Sequence, residues 1–545
     1  MAKKRDEAEY ARRAFLSITE EFGRLSIFDR PRSIAIYNYL TAAEFDALLS
    51  SAADPASGLH SSHRRMVESS AHVIPRIFDR CDNSPVNDAD LREDQYFQEA
   101  DGAYHFAHKF DNIAYACELA NRGQFRTYVA KVQPRISFAY ATAAADRSDS
   151  HLRASEALAV ASPKGRSPLD SVDELLNELR PLVKAVKRIS CEYEFSDSLI
   201  AIATEYGKEK LARTNRLDLP EGGRVLDVTV KDWRSYWAAM MALSEIHIAA
   251  HWIGDDGLLN DLPLNSIVLC KPAEEFVDLL SRISGLPTET SNELLGVLTY
   301  DPAIAGDVPI LQPFLALTDG RLCLPSSFVN GNNFERNFRK LLHRHPRLME
   351  FADEFVAGLE PEALESLSRL FPVPRYRTAP QVQIPGVTDI DLLVAEVESS
   401  FALVLQHKWL VGPDTLNESI SNDDRLVEGV TQATNSCEYL RNNPEFLRAQ
   451  LDLARTQEIQ RVESVVVCRG LDGTGFLDRA PNTPIITETA FVELMAEAKD
   501  LPSLWRTLTT RPDHHRAAAR ASDVRSKIKL GDYEFVLPGL AVQIG

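Results

Sequence analysis

The sequence predicts a mainly α-helical N-terminal part followed by an α/β module, in which a mixed sheet is flanked by helices. Up to about residue 302, apolar residues recur at the three- and four-residue spacing of amphipathic helices. From about residue 308, short β-branched runs alternate with helical stretches. The 545 residues also exceed the roughly 250–300 at which a single core stops growing, so we expect more than one domain.

Helical periodicity in the N-terminal part is clearest at residues 171–189, 230–253 and 272–286. The Pro-, Gly- and Ser-containing segment at residues 161–171 indicates a link between two helical regions. We therefore predict five regions: a helical N-terminal region (1–160), a helical middle region (161–302), a hairpin with a connecting helix (303–345), an α/β domain (346–510), and a basic segment with a terminal strand (511–545).

In the C-terminal half, the dipeptide Asp319-Gly320 separates two apolar runs and predicts a hairpin turn. Between about residues 345 and 500 the pattern predicts a helix, three strands, a helix, two strands and a helix. The run VVVC (465–468) is typical of an interior strand, and TPIIT (483–487) predicts a strand that leads into a helix.

Composition excludes several classes of protein. The seven cysteines are dispersed without a C-x-x-C pair, which argues against a disulfide framework and a zinc knuckle. The chain lacks a run of about 18 apolar residues, and its first residues lack the apolar core of a signal peptide. We therefore expect a cytoplasmic protein that does not enter a membrane.

The stretch from Pro385 to Leu410 places charged and polar residues at the ends of two apolar runs. Because side chains on a strand alternate between faces, Asp389 and Asp391 share one face, and so do Gln406 and Lys408. If the two strands pair as a hairpin, Asp391 comes close to Gln406 and Lys408. Burying such charges is costly without compensation, and a metal ion together with a phosphate would compensate both.

This pattern resembles the PD-(D/E)XK nuclease superfamily, in which an aspartate opens one strand and Glu-x-Lys ends the next. GVTDIDLLV (386–394) is similar to the first half and FALVLQHK (401–408) to the second. The following helix and the two later strands match the rest of the restriction-endonuclease-like core. The resemblance covers about 150 residues and implies a metal-dependent nuclease domain over residues 346–510.

Carried over by position, Asp391 is the central catalytic and metal-binding carboxylate, and Lys408 contacts the attacking water or the scissile phosphate. Asp389 takes the place of a flanking acidic metal ligand. Gln406 stands where the family more often has Glu; its amide oxygen can bind Mg²⁺ or Mn²⁺ but brings no charge. The family often places a further carboxylate on the preceding helix, for which we favour Glu354 over Glu362 and Glu365.

Nucleic-acid contacts are expected at Gln432 and at two basic runs. The resemblance implies that Gln432, on the helix after the strands, reaches toward a bound strand. The basic run at 336–347 contains Arg339, Lys340 and Arg344, and a second basic run lies at 506–527. Solvated helix faces account for such runs equally well. The formal net charge of −19 does not indicate a generally basic surface that would bind nucleic acid, although local patches of charge decide what binds.

The resemblance implies an Mg²⁺-dependent endonuclease acting on nucleic acid, DNA before RNA, with a role in bacterial restriction or anti-phage defence by family analogy. A homo-oligomer or a partner protein of a defence system is compatible with it. The alternative is a catalytically silent nuclease-like fold that binds nucleic acid or protein; Gln406 and the acidic balance favour that reading. An interaction scaffold built on the helical half is a third possibility.

Overall fold

The computed structural model shows a mixed α/β protein with a helical N-terminal part and mixed sheets in its C-terminal part. It describes residues 2–53, 58–91, 93–123, 125–130, 134–141, 176–187, 190–193, 195–214, 219, 221–254, 267–306, 308–330, 333–386, 388–410, 416–469, 483–510 and 520–543.

The helices of the described residues are α1 (Ala2–Phe22), α2 (Arg32–Ala53), α3 (Gly58–Arg80), α4 (Asp88–Leu91), α5 (Asp94–Asn121), α6 (Asp197–Thr214), α7 (Val230–Gly254), α8 (Ala273–Ser284), α9 (Thr288–Val297), α10 (Ser326–Asn330), α11 (Phe334–Arg344), α12 (Pro346–Ser368), α13 (Leu416–Asn442), α14 (Pro444–Gln450), α15 (Glu488–Glu497) and α16 (Leu501–Thr510). Short 3₁₀ helices lie at Ser26–Asp29, Arg180–Leu182 and Pro309–Leu311.

The strands are β1 (Phe125–Val129), β2 (Arg135–Tyr140), β3 (Val183–Lys187), β4 (Ser190–Tyr193), β5 (Arg224–Val225), β6 (Val228–Thr229), β7 (Leu269–Pro272), β8 (Leu315–Ala316), β9 (Arg321–Leu324), β10 (Tyr376–Gln383), β11 (Asp389–Glu396), β12 (Phe401–Trp409), β13 (Arg461–Arg469), β14 (Ile485–Thr487), β15 (Arg520–Leu530) and β16 (Tyr533–Gln543).

The N-terminal part is organised around α7. Five consecutive residues, from Ala239 to Leu243, are each at most 1 % exposed, so α7 is buried on all sides. Helix α6 packs closely on it: a Cβ atom at Gly207 would lie 2.2 Å from the carbonyl oxygen of Ala238. The hydrophobic core that includes α7 extends from Phe22 to Ala352. It therefore contains residues of the predicted regions 1–160, 161–302 and 303–345 alike.

The expectation of a continuous helix over residues 171–189 is wrong at Val183–Lys187. These residues form β3, which pairs with β4 in antiparallel fashion. Their β-branched valines suit a strand, and the pairing partner supplied by tertiary structure overrides the weak helical pattern.

The C-terminal strands return to the N-terminal part. Strands β15 and β16 form a hairpin, and β16 pairs in parallel with β2 through Phe535 and Ile136. The four-stranded sheet has the order β1-β2-β16-β15 and packs on α1 and α5. An Arg135–Glu534 ion pair, 2.9 Å between Nη2 and Oε2, reinforces the junction. The terminal strand of the predicted region 511–545 is thus half of a hairpin.

The predicted hairpin at Asp319-Gly320 is confirmed. Strands β8 and β9 are antiparallel, and Gly320 has a φ of +86°, a conformation that glycine adopts without strain. Strand β7 joins them in the order β7-β9-β8.

The predicted element order between residues 345 and 500 is confirmed: α12, three strands, α13, two strands and α15, with the short helix α14 after α13. The five strands form one sheet in the order β10-β11-β12-β13-β14. The first three are antiparallel neighbours, whereas β12, β13 and β14 are parallel. The sheet is therefore mixed, as expected.

Each face of this sheet is covered by helices. Leu403 and Leu405 belong to the cluster that packs against α15 and α16, whereas Ala402 and Val404 pack against α13. Among the helices of the residues described, none has the length and apolar character needed to cross a bilayer.

A buried carboxylate links α2 to α10. Glu44 is 2 % exposed and accepts hydrogen bonds from the backbone N–H and the hydroxyl of Ser327. Burial raises the pKa of Glu44 to about 7, with a smaller contribution from the charge of Glu245. A raised pKa in the folded state means that the group stabilises the fold while it is protonated.

We therefore expect Glu44→Gln to change how stability depends on pH. From the ordinary pKa of 4.5 to about 7, the unfolded carboxyl ionises before the folded one. The free energy of unfolding of the wild type should thus fall across this window relative to the variant, by up to about 1.4 kcal/mol per pH unit. Denaturant titrations between pH 4 and 8 measure it. Glu20→Gln, at an exposed position, should show no such difference; equal pH profiles for wild type and Glu44→Gln would contradict the assignment.

Candidate functional site

The site predicted from sequence lies where β11 and β12 end their pairing. Leu393 and Ala395 of β11 pack toward α13, and Ile390 belongs to the same cluster, so the alternation of β11 is interrupted next to Asp391. On β12, alternation assigns Gln406 and Lys408 to the side of α13. Gln406 and Lys408 both contact Gln432 of α13 and therefore share one face of the sheet.

The β11–β12 ladder ends at the pair Leu392↔Leu405, one step before Asp391 and Gln406. Beyond this pair, a side chain replaces the backbone partner of β12: Oδ2 of Asp391 accepts a hydrogen bond from the backbone N–H of His407 at 2.6 Å. A carboxylate acceptor makes this hydrogen bond charge-assisted, and about twice as strong as a neutral one. Asp391 is consequently held against β12 at the position where the two strands separate.

The other neighbour of β11 is also irregular here. The β10–β11 ladder passes from Pro380↔Leu392 to Val382↔Ile390, so Gln381 faces Asp391 without a ladder pair. Gln381 has a φ of +50°, a left-handed conformation that costs of the order of 1–3 kcal/mol for such a residue. The backbone around Asp391 is therefore irregular on both sides.

Lys408 is oriented by α13. Its Nζ donates to Oε1 of Gln432 at 2.7 Å, and Nε2 of Gln406 lies 3.4 Å from the same oxygen. Nε2 of Gln432 in turn donates to Oε1 of Glu428 at 3.3 Å. The Gln432 amide thus connects the two polar residues of β12 to a carboxylate one helical turn away.

The amide oxygen of Gln406 has no hydrogen-bond partner within the part of the chain that the structure describes. The residue is 4 % exposed, so water does not easily satisfy this oxygen. A buried acceptor without a partner costs about 1–3 kcal/mol. Oxygen donors from an amide and a carboxylate are also what Mg²⁺ accepts from proteins, with water and phosphate completing its shell. Asp391 and Gln406 therefore fit this ion.

Two further predicted ligands are less closely tied to this geometry. Asp389 is exposed at the start of β11. Glu354 belongs to α12, but its side chain lies outside the described residues, as does that of Glu362. Across the described ranges, His, Cys, Asp and Glu side chains form no group of three or more that would hold a metal. The oxygen ligands that Asp391 and Gln406 offer to a metal ion are one carboxylate and one neutral amide.

The approach of α13 to β12 depends on Gly429, which sequence analysis missed. A Cβ atom there would lie 2.9 Å from Cε of Lys408 and 3.4 Å from Cγ1 of Val466. Glycine is unfavourable inside a helix by about 1 kcal/mol relative to Ala. The space that it leaves is filled by the Lys408 side chain. A glycine one turn before Gln432 is the signal that the sequence carried.

A second group of polar side chains lies at the same strand ends. The guanidinium groups of Arg339 and Arg469 stand over the Trp409 ring, 4.7 and 4.8 Å from its centroid. Oε2 of Glu488 lies 3.8 Å from Nε of Arg469 and 3.6 Å from Nε2 of His407, which are ion-pair rather than hydrogen-bond distances. Contact with His407 lowers the pKa of Glu488, burial opposes the shift, and Arg469 reinforces it.

The predicted basic run is partly internal. Arg339 is 5 % exposed, Lys340 is half-buried, and Arg344 donates from Nη1 to the carbonyl oxygen of Ala305 at 3.0 Å. Helical spacing alone does not distinguish such a buried face from a solvated one. Of the second basic run, residues 511–519 lie outside the described residues.

The histidines of α7, which are four residues apart, are both buried. Nδ1 of His251 lies 2.8 Å from the carbonyl oxygen of His247, and the two rings meet edge-on at 4.6 Å. Both histidines are therefore buried residues of the N-terminal part.

We expect Gly429→Ala to displace Lys408 without unfolding the protein. The added methyl group meets a flexible side chain, and the gain in helix propensity of up to about 1 kcal/mol offsets the crowding. Denaturant unfolding measures stability, and mass-spectrometric acetylation of Lys408 measures its accessibility, which should rise.

Gly102→Ala on α5 is the matched control, because a Cβ atom there meets nothing within 4 Å. It should stabilise the protein by up to about 1 kcal/mol and leave Lys408 labelling as it was. The steric argument fails if Gly429→Ala gives the same stabilisation with unchanged labelling.

Comparison of the chain with protein-family models, with curated proteins and with solved structures finds no match.

Proposed function

We propose that this protein is a metal-dependent nuclease that hydrolyses phosphodiester bonds in DNA at the ends of β11 and β12. The observation that carries the proposal is the buried amide oxygen of Gln406, which has no hydrogen-bond partner among the described residues and lies on the same sheet face as Lys408, one residue before the N–H that binds Asp391. A cation bound by the Asp391 carboxylate and that oxygen would give the Gln406 amide the partner that it lacks among the described residues.

The proposed fold is the restriction-endonuclease-like core of the PD-(D/E)XK superfamily. The order of α12, the three antiparallel strands β10 to β12, helix α13 and the parallel strand β13 supports it. So does the position of the two motif halves on neighbouring strands. A role in defence against foreign DNA follows from the family analogy alone.

In this site Asp391 and Gln406 would hold Mg²⁺ or Mn²⁺ through one carboxylate and one amide oxygen. Such an ion supplies a bound water of lowered pKa and neutralises charge on phosphate oxygens. The hydrogen bond from His407 N–H orients the carboxylate before any substrate arrives. Pre-orientation matters because a group already in place does not need to reorganise during the reaction.

Lys408 would supply a positive charge next to the scissile phosphate, where negative charge develops. Oε1 of Gln432 accepts a hydrogen bond from Nζ of Lys408 at 2.7 Å and keeps the ammonium group on the α13 side of the sheet. Gln432 is therefore a positioning residue. A neutral amide acceptor leaves the charge of the lysine uncompensated, so the charge remains available to a phosphate.

The first test is cleavage of supercoiled plasmid, linear duplex, single-stranded DNA and RNA with Mg²⁺, Mn²⁺ or EDTA. We expect metal-dependent cleavage of DNA, and a loss of about 100-fold or more in Lys408→Ala, the effect of removing one such charge-stabilising donor. Asp391→Asn should abolish metal binding, measured by calorimetry. Lys499→Ala changes an exposed lysine of the same domain and should retain full activity.

Equal cleavage by wild type and Lys408→Ala would refute the assignment of the site. Metal binding without cleavage of any substrate would indicate the alternative, a silent nuclease-like fold that uses the same surface for binding.

The second test restores the charge that the family pattern contains. In Gln406→Glu the carboxylate adds a negative ligand next to Asp391, so the affinity for Mg²⁺ should increase. Without metal, two neighbouring carboxylates repel each other, and the variant should melt at a lower temperature than the wild type. Added Mg²⁺ should raise the melting temperature of the variant more than that of the wild type, and a metal response equal to that of the wild type would count against coordination by residue 406.

A further inference from the structure

The arginine cluster, which we define as Arg339, Arg425 and Arg469, meets at the carboxyl ends of β12 and β13. Arg469 pairs in register with Trp409, the residue after Lys408, and Arg339 stands over the same indole ring. Arg425, on α13, lies near enough to Arg339 for its positive charge to lower the pKa of that residue, as does that of Arg469. Helix α11, helix α13 and strand β13 thus each contribute one guanidinium group.

Arg339 is the central member of the cluster. It is 5 % exposed, yet its Nε and Nη1 have no hydrogen-bond partner in the described part of the chain. The indole Nε1 of Trp409 is a third buried donor without a partner there. Burial is the largest cause of the lowered pKa of Arg339, about 10, and repulsion from Arg425 and Arg469 adds to it.

Among the described residues, no carboxylate forms a hydrogen bond with Nε or Nη1 of Arg339. Glu335 attracts Arg339, but its Oε1 is bound by Arg234. Glu488 lies at ion-pair distance from Arg469 and is shared with His407. A buried cation with donors that lack hydrogen bonds is costly, which indicates that an anion belongs next to Arg339 and the indole N–H of Trp409.

The position of the cluster narrows the choice of anion. In open α/β sheets, ligands bind outside the carboxyl ends of parallel strands, and β12 and β13 are such a pair. Guanidinium groups present paired N–H donors that match the oxygens of a phosphate. Trp409 follows Lys408, which the proposed function assigns to the scissile phosphate, so the two side chains leave opposite faces of β12 at the same strand end.

We propose that the arginine cluster binds a second phosphate group of the nucleic acid, next to the one that is hydrolysed. This inference rests on the proposed function and extends it to substrate positioning. The group is either a phosphate within the strand or a terminal phosphate monoester; both present the oxygens that the guanidinium groups and the indole N–H require.

Binding measured in EDTA tests the cluster separately from catalysis. The probes are inorganic phosphate and fluorescent single-stranded and duplex oligonucleotides with either a 5′-phosphate or a 5′-hydroxyl end, titrated over a range of salt concentrations. We expect Arg425→Ala to weaken oligonucleotide binding by at least about tenfold, the effect of one charge-assisted hydrogen bond, and to reduce the salt slope by about one. Arg425 is exposed, so its truncation leaves the core intact.

Arg339→Lys is the second variant, because it keeps the charge and removes the planar fork of donors. It should also weaken binding. Arg369→Ala is the matched control: it removes an arginine that is 74 % exposed and paired with Glu365, in the same domain, and should bind as the wild type does.

Stronger binding of 5′-phosphorylated ends, lost in both cluster variants, would assign the terminal phosphate. Equal binding of both ends, weakened in both variants, would assign a phosphate within the strand. Wild-type affinity and salt slope in both cluster variants would overturn the inference, even if the protein cleaves nucleic acid in a reaction that depends on Lys408. If the protein cleaves no substrate but still binds phosphate through these arginines, the nuclease proposal is refuted and the assignment of the arginine cluster as a phosphate site stands.

Discussion

The hydrogen bond from the His407 backbone to the Asp391 carboxylate is the interaction on which the candidate site depends. It forms where the ladder between β11 and β12 stops, and a side chain there takes the place of a strand partner. A separating strand pair leaves backbone donors without partners, and a buried unpaired N–H is costly. The carboxylate removes that cost and is held in one orientation in return. The polar site and the end of the sheet are therefore one structural feature.

The two faces of β12 carry different chemistry because side chains alternate along a strand. On the α13 side, Gln406 and Lys408 meet Gln432, and the amide oxygen of Gln406 has no hydrogen-bond partner among the described residues. From the opposite side, the guanidinium groups of Arg339 and Arg469 meet Trp409, and donors of Arg339 and Trp409 lack hydrogen-bond partners in the part of the chain that the structure describes. In the proposed function, a divalent cation would bind the Gln406 oxygen, and the phosphates of the nucleic acid would bind the Arg339 guanidinium group.

The rest of the chain supports this edge of the sheet from both directions. Arg339 comes from α11, whose apolar side chains belong to the large N-terminal core, so the cluster joins that core to the five-stranded sheet. Gly429 allows α13 to approach β12 until the Lys408 side chain fills the space between them. The C-terminal hairpin, in contrast, packs on α1 and α5 and adds to the N-terminal part.

Strand alternation and turn chemistry are local properties, so the sequence by itself determined the element order from 345 to 500 and the common face of Gln406 and Lys408. The hairpin at Asp319-Gly320 is local in the same sense. Tertiary structure alone decided that Val183–Lys187 form a strand, because their partner β4 had to be in place. It likewise decided that Arg339 is buried and that β16 pairs with β2, about 400 residues away. Such pairings depend on which surfaces meet after the chain closes long loops, and neither periodicity nor composition carries that information.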